Sequence, residues 1–176
     1  MKTTLAEGVL SPDQLKAIGC VAVESSFLES FLEFLVWRLT NLNESTGKFF
    51  TDQLRLKGRI ELFSDLAKSK ITDPKILEEF INLISRLKEA AEKRNHIIHG
   101  RWGGSVRDNF GQPYTIDLSK HDVLDLSEHG VLAMKRRLRS DPVFFSSTKI
   151  METAYELSDL YLELAQFVFV YLGLAS

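Results

Sequence analysis

Apolar residues in this chain recur at alternating steps of four and three, and that periodicity commits most of it to helices packed side by side. The clearest row passes through Phe80, Ile84, Leu87 and Ala91, inside a segment from Asp73 to His99 that reads as one long helix. The next positions of the row are 94 and 98. Arg94 therefore stands where a core residue belongs, and Ile98 is expected to resume the row. At about 100° per residue, Asn95 and His99 lie four apart and flank the seam on one side. His96 points away from it, toward solvent or the periphery.

Three further segments read as helices. Ser11-Pro12-Asp13 is a strong start signal, with Ser at the N-cap, Pro at the first helical position and an acid in the first turn. The helix it opens runs to about Leu42, where Asn41-Leu42-Asn43 and the polar Glu44-Ser45-Thr46-Gly47 break the pattern. A second helix covers roughly Thr51 to Ser69, with Leu56, Ile60, Phe63 and Ala67 as its row. The last runs from about Ser147 to Leu172. Between the third helix and the last, Arg101 to Val106 and Tyr114 to Leu118 flank a turn-rich stretch and read as a hairpin. Val131 to Arg139 suits either a third strand or a helix. The expected fold is all-α: a bundle of four to five helices forming one domain over residues 1–176. A small β-hairpin or sheet insert at about 101–141 precedes the last long helix.

Composition narrows the function classes. The formal net charge is −2 over 176 residues, which argues against wholesale coating of nucleic acid but permits a local basic site. One cysteine, Cys20, excludes an internal disulfide, and no cleavable signal pattern opens the chain, so the cytoplasm is the expected compartment. The most apolar stretch, Leu164 to Leu172, is too short to span a bilayer, and no membrane role is expected. No cofactor motif is present: Gly103-Gly104 is too short for a phosphate loop, and there is no Gly-x-Ser-x-Gly elbow. His121 and His129 have no cysteine nearby to complete a zinc-like set, so no metal is expected.

The first helix offers Arg94 a partner. Its apolar row is Val21, Leu28, Phe31, Leu35, Leu39 and Leu42, and Glu24 falls in the same row. A lone carboxylate in a core is costly, so Glu24 is expected either to pair with Arg94 or to lie where the helix face meets water.

The sequence Arg94-Asn95-x-x-x-His99 on such a frame resembles the Arg-polar-(x)n-His motif of HEPN domains, with four residues between Arg and His. The resemblance covers most of the helical part; the 101–141 insert has no obligatory counterpart in that family. It implies a metal-independent endoribonuclease leaving 2′,3′-cyclic phosphate and 5′-hydroxyl ends, of the kind found in toxin–antitoxin and defence systems. It also implies a homodimer in which two motifs face each other, an RNA substrate, and an antitoxin or other protein partner. The residue types suit that chemistry. Histidine shuttles protons near neutral pH, and the end of a helix favours its cationic form. The Arg94 fork can hold a phosphate oxygen, and Asn95 can orient the imidazole or the phosphate.

Each signal also has an ordinary explanation. Arg94 would lay its stem on the core and end in a salt bridge, while His99 and Asn95 would cap the last carbonyls before Gly100. Together on a helical frame they favour a site. Lys135-Arg136-Arg137-Leu138-Arg139 is the one basic cluster. With Arg101 it would track an RNA backbone, or simply form a solvated face. Trp102 and Phe144-Phe145 would stack on bases or pack in the core. A catalytically silent HEPN-like module binding RNA or protein is the alternative function. A third reading is a helical protein whose motif only knits helices together.

Overall fold

Local capping chemistry sets the helix boundaries. Ser11 opens α1 (Pro12–Thr40) through a reciprocal capping box, its hydroxyl accepting from the Gln14 amide at 3.2 Å and its own amide donating to Gln14 Oε1 at 2.8 Å. Asn41 closes α1 in the left-handed conformation, with φ 55°. Where the sequence suggests only a break, a short helix α2 (Glu44–Thr51) forms, because the Asn43 side chain caps the Thr46 amide at 2.9 Å. Thr51 ends this helix instead of opening the next. α3 spans Leu56–Lys68 and α4 spans Pro74–His99, the latter capped by Asp73, which accepts from the Lys75 amide at 2.8 Å. α5 (Ser147–Phe167) starts at the Ser146 cap and runs into a π-helical turn, Val168–Leu172.

The computed structural model describes the backbone at residues 10–99 and 143–173, with a few short pieces between them; side chains are described for 10–99 and 145–173. The described part is a helical bundle. The expected β insert falls mostly outside the described residues. Its described pieces are two or three residues long: Gly103–Gly104, Pro113–Thr115 and Val143–Phe144 in one antiparallel set, Asp125–Leu126 with Leu132–Ala133 in another. Pairings this short do not establish the hairpin.

The core is one cluster drawn from all the long helices. Phe63, Phe80 and Phe167 join α3, α4 and α5, with ring centroids 5.8 Å and 5.3 Å apart. Helix directions follow from pairs at successive levels. Arg86 meets Glu163 at 2.7 Å and Lys93 meets Glu156 at 2.8 Å, so α4 and α5 are antiparallel. Arg94 reaches Ser25 and Glu29 on α1, whereas Phe31 meets the Tyr161 ring at 5.0 Å, so α1 runs with α5 and against α4.

Two expected rows are out of phase. On α1 the buried residues include Val21, Ser25, Leu28, Leu32, Leu35 and Leu39; Ser25 and Leu32 take the places expected for Glu24 and Phe31, which are half-buried. On α4 it is Ile97 that is fully buried, and Ile98 sits at the edge. In both cases the row steps differently because packing between two neighbouring helices buries a stripe wider than a single seam. Phe145 lies in the core at 4% exposure, which settles its role as packing.

Gly47 and Gly19 make a direct test of this packing. A Cβ at Gly47 would overlap the Trp37 indole, whereas at Gly19 it would meet nothing within 4 Å. Gly19→Ala is expected to raise stability by about 0.5–1 kcal/mol. Gly47→Ala is expected to lower it by about 1–3 kcal/mol, since α2 must shift off Trp37. Denaturant melts of both variants check the contrast.

Candidate functional site

Arg94 needs several acceptors if a guanidinium is to sit in a helix seam, and α1 supplies two. Its Nη2 donates to Glu29 Oε1 at 3.0 Å, with only 16% of the Arg94 side chain and 26% of the Glu29 side chain exposed. Its Nε donates to the Ser25 hydroxyl at 3.3 Å, and that hydroxyl in turn donates to the Ala22 carbonyl at 3.0 Å. Ser25 is fully buried, and a larger residue there would hold the two helices apart.

The other side of the guanidinium faces outward. Nη1 lies 3.1 Å from Asn95 Oδ1 and 3.2 Å from His99 Nε2. The structure thus brings together Arg94, Asn95 and His99 at the C-terminal end of α4, with Asn95 and His99 exposed. Because an arginine can only donate, His99 Nε2 faces it as an acceptor, and the ring proton in this arrangement belongs on Nδ1. Four of the five N–H groups of Arg94 are directed at its own chain.

Glu24 is not the partner of Arg94. It is half-buried and forms no ion pair among the described residues; Glu29 takes that role. The reason is angular. Glu24 falls about 100° back from Ser25 around the helix, toward α5, whereas Glu29 is four residues on from Ser25 and lies over the same ridge. Glu29 was missed by reading only the apolar row. The signal present in the sequence is the spacing Ser25, Glu29, Glu33, Trp37, one residue every fourth position of α1.

That ridge carries the polar contacts onward. Arg59 of α3 donates to the Glu29 carbonyl at 3.3 Å and lies 3.8 Å from Glu33. The Thr51 hydroxyl donates to Glu33 and accepts from Trp37 Nε1 at 3.2 Å. Arg94 is therefore one end of a polar network that ties α4, α1, α3 and α2 together. His96, about 200° around α4 from Arg94, is half-buried, in keeping with a peripheral histidine. Cys20 is half-buried against the core as ordinary helix packing. The basic residues Arg101, Lys135, Arg136, Arg137 and Arg139 lie outside the described residues, as do Trp102, His121 and His129.

Among the described residues no group of three or more His, Cys, Asp or Glu is placed to hold a metal ion, and no helix is long and apolar enough to cross a membrane. No family model, curated protein or solved structure matches the chain.

A double-mutant cycle of Glu29→Ala and Arg94→Ala is expected to give a coupling of about 1–3 kcal/mol in unfolding free energy, because either single change strands a half-buried charge. Glu24→Gln is expected to stay within about 0.5 kcal/mol of the parent. Equal effects of Glu24→Gln and Glu29→Gln would contradict the pairing.

Proposed function

We propose that this chain is a HEPN-like, metal-independent endoribonuclease acting as a homodimer. The observation that supports the reading best is the convergence of Asn95 and His99 on one guanidinium, itself held by Glu29 and Ser25, at an exposed helix end. In this mechanism the Nη1 side of Arg94 takes a non-bridging phosphate oxygen, displacing Asn95 or His99 from it. A 2′-hydroxyl loses its proton and attacks phosphorus, and the departing 5′-oxygen gains a proton. The products are a 2′,3′-cyclic phosphate and a 5′-hydroxyl. One His99 acts as the base and the His99 of a second copy as the acid, since each protomer carries one such histidine beside its arginine. Two Arg94 side chains then spread charge around the pentavalent phosphorus. In this reading Arg101, Lys135, Arg136, Arg137 and Arg139 are assigned to contacts with the RNA backbone, on their charge alone. A cytoplasmic place in a toxin–antitoxin or defence pair completes the proposal and rests on the resemblance alone.

One observation favours a second reading, a catalytically silent HEPN-like module that binds RNA or protein. Arg94 already spends most of its donors within its own chain, which is how a purely structural arginine behaves.

Cleavage of a mixed-sequence RNA in EDTA separates the two. The ribonuclease is expected to leave cyclic-phosphate ends, with His99→Ala slower by about 10²–10⁴-fold and Arg94→Ala slower by about 10²–10³-fold, both variants remaining folded. Cleavage that persists equally in both variants, or that disappears on adding EDTA, would overturn the proposal. Binding without turnover would move the function to the second reading.

A further inference from the structure

The flank of α1 opposite Glu29 carries a different kind of surface. Val23 and Phe27 are 53% and 59% exposed there, and beside them Tyr155 and Leu162 of α5 and Phe169 of its π-helical extension are 64%, 61% and 64% exposed. Half-buried rings make the two helices one continuous face: Phe31 stacks with Phe34 at 6.5 Å and meets Tyr161 at 5.0 Å. Of the acids of α5, Glu156 and Glu163 are engaged by Lys93 and Arg86 of α4, while Asp159 is exposed at the margin of the face, beside Tyr155 and Leu162. Aromatic enrichment is a signature of an interface core, and charges at its margin are those of a polar rim.

We infer that this α1–α5 face is the contact surface for a second copy of the chain, related by a two-fold axis near Phe31 and Leu162. The pattern is self-complementary about that level. Along α5 and its π-helical extension the exposed residues Tyr155, Leu162 and Phe169 are spaced by seven, with Leu162 at their centre. On α1, half-buried Glu24 lies seven residues before Phe31, and exposed Arg38 lies seven after it, over the Phe34 ring at 5.8 Å. Antiparallel apposition of two α1 helices brings each Glu24 toward the other copy's Arg38, and each Tyr155 toward the other copy's Phe169. The face is about 20 Å long at 1.5 Å per residue and about 20 Å wide across two helices. Its projected area is on the order of 400 Å², larger once side-chain relief is counted, which approaches the ~800 Å² per partner of a standard interface.

This association is distinct from the one that would bring two catalytic motifs together. Phe27 is two residues from both Ser25 and Glu29, about 200° around the helix from each, so contact through this face leaves Arg94 and His99 on the outside. It stands whether or not the chain cleaves RNA.

Sedimentation of the full chain tests it. Phe27→Glu and Leu162→Glu are each expected to halve the mass of the parent, and Phe49→Glu, an exposed aromatic off this face, to leave it unchanged. Glu24→Arg is expected to weaken association, and Glu24→Arg with Arg38→Glu to restore it. A monomeric parent, or face variants that keep the parent mass while remaining helical by circular dichroism, would overturn the inference. EDTA-resistant cleavage, measured in parallel, reports on the ribonuclease reading separately, since neither Phe27 nor Leu162 touches Arg94 or His99.

Discussion

A guanidinium in a helix seam is tolerated only where acceptors meet its donors, and the packing of α4 against α1 is arranged around that requirement. Arg94 occupies a position that periodicity assigns to the core. Ser25 supplies an acceptor while being small enough to let the helices approach, and Glu29 supplies the opposing charge. Removing either would strand polar groups at a half-buried position, which costs more than the pair contributes when intact. The same contacts hold the outer edge of the guanidinium against Asn95 and His99, so what satisfies the seam also shapes the exposed cluster.

Much of this was legible in the sequence. The cap at Ser11, the long α4 and the gathering of Arg94, Asn95 and His99 at its end follow from local rules that tertiary contacts did not override. The partner of Arg94 was not legible from one apolar row. Glu24 fits a row of alternating steps of three and four, but α1 contacts several helices and buries a stripe too wide for one row to describe. Ser25 hid because a buried serine leaves no apolar mark. Helix α2 was obscured because Glu44-Ser45-Thr46-Gly47 reads as a break, although Asn43 is a good cap and Gly47 is the residue that allows close approach to Trp37.

The two flanks of α1 serve opposite ends. On one, every fourth residue is polar and links to α4, α3 and α2, with Arg59 and Thr51 extending the chain of contacts from Glu29 to Trp37. On the other, aromatic rings tie α1 to α5 and continue to the surface. One helix thus fixes the geometry of a charged cluster and carries an exposed aromatic flank, without the two drawing on the same residues.

His99 ends α4, and α5 begins at Ser147, the antiparallel pairing of these helices placing both points at the same end of the bundle. Whatever chain lies between them must leave and re-enter beside the Arg94 cluster. Because the entropy of closing a loop grows only with the logarithm of its length, residues could be added, removed or exchanged there at small cost to the core. The bundle thereby leaves one address open to change, next to the exposed end of the Arg94 cluster. Chain length and chemistry can be rewritten at that address while the helices that hold Arg94 stay as they are.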